Sequence, residues 1–198
     1  MFQVLERGSR RIEKIREEAI VYLGLSRAGK STAFNWTLNQ PMVGKGGRNS
    51  YYVNVVSEDP NVAKVGANFG SVTLAPNVYV DYSPNVSIVD MPGFEDSRDY
   101  IGTIGVSYFL NILFEKVRKV KFVIVFSESR FTEETGAGII QTMNGFFELF
   151  KIPLMTPEIK DKLAQSMGFL VTRSKEGEYH YEYMKELIEK MKDPTMVA

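Results

Sequence analysis

Residues 24 to 31 read Gly-Leu-Ser-Arg-Ala-Gly-Lys-Ser, the spacing GxxxxGK[ST], and they follow directly on the apolar run Ala19-Ile20-Val21-Tyr22-Leu23. A string of this kind works through its main chain. A buried strand ends in a tight Gly-rich turn, the turn opens into a helix, and successive N–H groups surround an anion at the helix N-terminus. In that arrangement Gly24, Ser26, Arg27, Ala28, Gly29 and Thr32 form the cradle and first helical turn. Lys30 reaches the terminal phosphates, and the Ser31 hydroxyl ligates Mg²⁺. The chemistry implied is binding of a nucleoside phosphate.

A Mg²⁺–nucleotide site needs a carboxylate at the end of a second buried strand. Val86-Ser87-Ile88-Val89 runs straight into Asp90-Met91-Pro92-Gly93, a DxxG string. Asp90 then holds Mg²⁺ near Ser31 through water, and the Gly93 N–H reports the γ-phosphate, as loops that sense hydrolysis do. Between the two strings, Ser71-Val72-Thr73 opens a strand after a Gly-rich stretch, which makes Thr73 the candidate for a second hydroxyl ligand. Phe94 follows Gly93, and the neighbouring Glu95 and Asp96 read as a solvated loop. No general base is evident, which suits phosphoryl transfer, where positioning and electrostatics carry most of the catalysis. His180 is the only histidine and there is no cysteine, so zinc is excluded in practice.

The elements that must position these residues alternate. Residues 9–18 are charged, with Ile12 and Ile15 on one side, and predict a short leading helix or arm, so that 1–18 precedes a domain over 19–198. A strand over Ala19 to Leu23 leads into the loop and helix from Gly24 to Asn39, ended by Gln40-Pro41. Residues 41–70 are rich in Gly, Asn, Ser and Pro and read as a long mobile loop. Val72 to Tyr82 and Val86 to Val89 read as a strand pair turned by Ser83-Pro84-Asn85. A helix over Gly105 to Val117 precedes the apolar strand Lys121 to Phe126. Ile139, Ile140, Met143, Phe146, Phe147 and Phe150 recur at helical spacing, a stripe that packs on a sheet. Phe169 to Thr172 is a further strand, and Tyr179 to Met191 a last amphipathic helix. The pattern is a three-layer α/β sandwich with a mostly parallel sheet.

Composition narrows the classes. The 198 residues suffice for one domain, and 24 basic side chains balance 24 acidic ones. There is thus no net field to recruit nucleic acid or an anionic membrane. The first residues carry Arg and Glu without an apolar segment, unlike a signal peptide. The expected location is cytoplasmic.

The string Ser129-Arg130-Phe131-Thr132-Glu133-Glu134, together with GLSRAGKST, SVT, DMPG and the following Phe94, resembles the immunity-associated (AIG1-type, GIMAP-like) GTPases, relatives of septins. The resemblance spans roughly Ala19 to Thr172. It implies a P-loop G domain that binds GTP and GDP with Mg²⁺, hydrolyses GTP slowly, and is stimulated by dimerisation or larger assembly. In that family a TRKD-like string reads the base; here it is Thr172-Arg173-Ser174-Lys175, which makes Thr172 and Arg173 the nucleotide-contacting candidates. Lys175 stands where the family has an Asp, and a donor-only ammonium cannot accept the guanine N–H groups. An ATPase, or an assembly module with degenerate nucleotide binding, remain alternatives. The family's last strand and helix have no counterpart before Ala198, so a G domain lacking them is expected. The loop string GLSRAGKS is also similar to that of guanylate-binding proteins, which implies Arg27 as an arginine finger in cis. The catalytic candidates are therefore Lys30, Arg27 and Gly93, and the metal ligands Ser31, Thr73 and Asp90.

Overall fold

The computed structural model describes residues 2–47, 50–56, 62–65, 73–81, 85–94, 100–130, 137–151 and 154–172. In chain order the strands are β1 (Glu18–Leu23), β2 (Met42–Gly47), β3 (Ser50–Val55), β4 (Asn77–Val80), β5 (Val86–Asp90), β6 (Lys119–Ser127) and β7 (Met167–Thr172). The helices are α1 (Phe2–Ile12), α2 (Lys30–Thr37), α3 (Tyr100–Lys116), α4 (Ala137–Leu149) and α5 (Pro157–Gln165). The main sheet has five strands in the order β4-β5-β1-β6-β7. All pairs in it are parallel except β4 with β5. This is an α/β fold on a mostly parallel mixed sheet.

Period-2 alternation distributes the strand side chains between two faces. Val21 and Leu23 of β1, Val89 of β5, and Phe122, Ile124 and Phe126 of β6 face one cluster with Val106, Phe109 and Leu113 of α3 and Ile139, Met143 and Phe146 of α4. Tyr22, Ile88 and Val125 face the other, with Ala33 and Phe34 of α2. Both faces of the central strands are therefore covered, as near-continuous apolar strands in a parallel sheet require. The aromatic stripe of α4 belongs to the core: Phe146 and Phe150 meet Phe122 with ring centroids 6.2 and 5.0 Å apart.

Several expectations change. Residues 42–47 and 50–55 are not loop but the antiparallel strands β2 and β3, a separate two-stranded sheet, because Tyr51, Tyr52 and Val53 supply β-favouring residues that outweigh the glycines. The leading helix occupies Phe2–Ile12 rather than 9–18, and its Ile12 is fully buried in the core. Residues 73–76 are not strand; of the described part of the expected strand over 72–82, β4 is what forms, preceded by Pro76. Helix α5 was not foreseen; Thr156 caps it, its side chain accepting the Ile159 N–H, with Pro157 in the first turn. The expected helix over 179–191, and residues 131–134 of the RFTEE string, lie outside the described residues.

Candidate functional site

The carboxyl ends of β1, β5 and β6 meet at one edge of the sheet. β1 continues into α2 on one face, whereas β5 and β6 continue into α3 and α4 on the other. The connections diverge there, and the crevice this leaves is where ligands bind in sheets of this kind. A cleft of about 160 Å³ opens at this place, lined by Leu25 to Ala28 on one side and Val125 to Ser127 on the other, with Ser129 and Thr142.

The 24–31 loop is held from three directions. Gly29 stands at φ 94°, in the left-handed region, just ahead of α2, and a Cβ there would lie 2.8 Å from the Thr172 hydroxyl. Only glycine fits both demands. Thr172 Oγ1 donates toward the carbonyls of Ala28 at 2.6 Å and Phe126 at 3.1 Å, tying the end of β7 to the loop. At the loop's start, Gly24 lies against the Val125 carbonyl. On the β5 side the main chain of Leu25 pairs with Phe94. Gly93 presses so closely on Ser26 that a Cβ would lie 2.5 Å from the Ser26 nitrogen.

Lys30 is buried, and its ammonium donates to the carbonyls of Gly24 at 3.1 Å and Leu25 at 2.8 Å. Burial pushes its pKa down to about 8, although the Asp90 charge acts in the opposite direction. Two of its three donors are thus spent closing the loop.

Ser31, at the start of α2, donates its hydroxyl to Asp90 Oδ2 at 2.8 Å and lies 3.1 Å from Thr73 Oγ1. One hydroxyl carries one proton, so with that proton on Asp90 the Ser31–Thr73 contact has Thr73 as donor. Asp90 is fully buried, and among the described residues its Oδ1 and the Ser26 Oγ are the buried side-chain oxygens without a hydrogen-bond partner. Burial raises the Asp90 pKa, while the Lys30 charge and the hydrogen bonds from Asn77 and Ser31 pull it back. Two hydroxyls and a carboxylate converging on one point, with a carboxylate oxygen left over, are a set of hard oxygen donors. Mg²⁺ takes such donors, usually with one or two carboxylates and the phosphates of its substrate. The residues present fit that ion.

The structure brings Lys30, Ser31, Thr73 and Asp90 together, with Gly24, Ser26, Ala28, Gly29 and Gly93 around them. Thr32 sits half-buried in the first turn of α2, and Arg27 is exposed at the cleft rim with φ 70°. The Thr172 hydroxyl is turned onto the loop carbonyls rather than outward. Phe94 is core, 1% exposed. Glu95, Asp96, Arg173, Lys175 and His180 lie outside the described residues.

Two asparagines were missed. Asn77 donates to Asp90, and Asn35 on α2 pairs with both main-chain groups of Ala63, donating to its carbonyl at 2.7 Å and accepting its N–H at 2.9 Å. The signal available was residue type: Asn is depleted in strands and unfavourable within helices, so each needs a partner where it stands. No protein-family model matches this chain, and no curated protein matches it. No helix among the described residues is long and apolar enough to cross a membrane.

Proposed function

We propose that this chain is a Mg²⁺-dependent guanine-nucleotide switch with slow GTP hydrolysis, built on the P-loop G-domain form of the α/β fold. The observation that carries the reading is the convergence of Ser31, Thr73 and Asp90 at the start of α2, with one buried Asp90 oxygen uncommitted. These three are the residues the sequence assigns to the metal, and they come from segments 42 and 17 residues apart.

In this reading the 24–31 loop cradles the phosphates with its N–H groups and the α2 N-terminus. Lys30 exchanges a loop carbonyl for a phosphate oxygen, a transfer favoured because the phosphate bears charge and the carbonyl does not. Ser31, Thr73 and Asp90 hold Mg²⁺, which when bound neutralises the phosphate charge. Thr73 belongs to the ion-contacting set only while its segment is seated, so the site links nucleotide state to the position of residue 73. Gly93 presents its N–H beside the loop because no side chain intervenes. Arg27, exposed at the rim, is the candidate arginine finger, turned inward on dimerisation, and such a finger contributes on the order of 10³–10⁵ in rate.

Equilibrium binding of GTP, GDP and ATP with Mg²⁺, to the wild type and to Lys30→Ala, tests the proposal. Selective binding of GTP and GDP, abolished in the variant, supports it. Preference for ATP would instead favour the ATPase alternative, in which the Asp replaced by Lys175 is not required. Absence of binding to all three would leave an assembly module.

A further inference from the structure

Asp90 is held from behind as well as from the front. Its Oδ2 accepts the Asn77 Nδ2–H at 3.0 Å. Asn77 Oδ1 in turn accepts from Arg11 Nη1 at 3.0 Å, and the same nitrogen donates to the Pro76 carbonyl at 2.9 Å. The order of groups is directional. A guanidinium has donors only and an ionised carboxylate acceptors only, so the amide between them has one satisfied orientation. Flipping it would set oxygen against Asp90 and NH₂ against Arg11, losing two charge-assisted bonds together.

Arg11 belongs to α1, which is fixed independently of this contact. Ile12 is fully buried in the main core, and Gly8 sits so close to the Phe109 ring of α3 that a Cβ would overlap it. The helix is thus a firm base from which Arg11 acts on Asn77. By contrast Arg10, one residue earlier, pairs with Glu6 on the exposed face.

We propose that Arg11 and Asn77 are positioning residues for Asp90, so that α1 is a working part of the cation site. The inference rests on reading Asp90 as a Mg²⁺ ligand. Asn77 occupies one lone-pair side of Oδ2 and fixes the carboxylate plane, and Arg11 fixes Asn77. Outer partners of this kind orient metal ligands, and their loss typically weakens metal binding about 10–100-fold.

The test is the Mg²⁺ midpoint for binding of a fluorescent GTP analogue, with affinity in EDTA measured alongside. Asn77→Val is expected to raise the midpoint about 10–100-fold while affinity in EDTA stays unchanged. Arg11→Met raises it less, and the double variant is no worse than Asn77→Val alone, because the two act in series. Arg11→Lys restores much of the loss, since one nitrogen makes both contacts. Arg10→Met, on the same helix, changes nothing. Cooperative thermal melting confirms that each variant is folded, and the two sites give independent chances of a folded one. Midpoints equal to the wild type overturn the inference alone, as does an equal loss with and without Mg²⁺. A wild type that binds nucleotide indifferently to Mg²⁺ overturns the reading of Asp90 and this inference with it.

Discussion

Raising the pH from 7.5 to 9.5 titrates the buried Lys30 ammonium in the site. Its pKa is about 8 in the folded protein, against an ordinary 10.5. The folded state therefore releases this proton before the unfolded chain does. Between pH 8 and 10.5 the unfolded chain binds more protons, and stability contributed by Lys30 rises with pH across that window. The full difference is roughly 3 kcal/mol, of which about 2 kcal/mol accrues between pH 7.5 and 9.5. Urea unfolding of the nucleotide-free protein at half-unit pH steps measures it. Lys30→Met serves as reference, because other lysines and tyrosines titrate alike in both. The difference curve, wild type minus Lys30→Met, is expected to climb by about 2 kcal/mol. A bound triphosphate reverses the balance by favouring the charged ammonium, so its affinity falls roughly tenfold from pH 7 to 9. Parallel stability curves for the two proteins would refute the argument, since they would mean that Lys30 is not desolvated within the closed loop.

Two further outcomes follow from particular contacts. Asn35→Ala leaves the buried N–H and carbonyl of Ala63 without their partner and is expected to lower stability by about 2–5 kcal/mol, measured by urea unfolding. A loss under about 1 kcal/mol would show that this clamp does not hold. Gly93→Ala forces a methyl to within 2.5 Å of the Ser26 main chain, which only a loop shift relieves. Stability is expected to fall by about 1–3 kcal/mol and GTP affinity, read by fluorescence titration, to drop more than about tenfold. Unchanged affinity would separate Gly93 from the cradle.

How much of this was legible in the sequence depends on whether the determining contact is local. The Gly24 to Ser31 string, with an apolar strand before it and a helix after it, specifies its own conformation through glycines and an apolar run. Asp90 was readable for the same reason, as the end of a buried strand. The β2–β3 pair was not, because Gly44, Gly46 and Gly47 are turn-like residues and only the pairing of the two segments makes them strands. The type of Asn77 asks for a partner, but its link to Arg11 was invisible, since 66 residues separate them and the contact exists only once β4 lies beside β5 under α1. The role of Thr172 was likewise hidden: its hydroxyl faces the loop carbonyl of a residue 144 positions earlier.

The most direct measurement is binding of a non-hydrolysable GTP analogue with Mg²⁺ and with EDTA, to the wild type and to the isosteric Asp90→Asn. The account predicts that Mg²⁺ strengthens binding to the wild type at least about tenfold, and that Asp90→Asn abolishes this gain while retaining the weaker binding seen in EDTA. Equal affinity with and without Mg²⁺ in the wild type, or a gain that survives in Asp90→Asn, would contradict it.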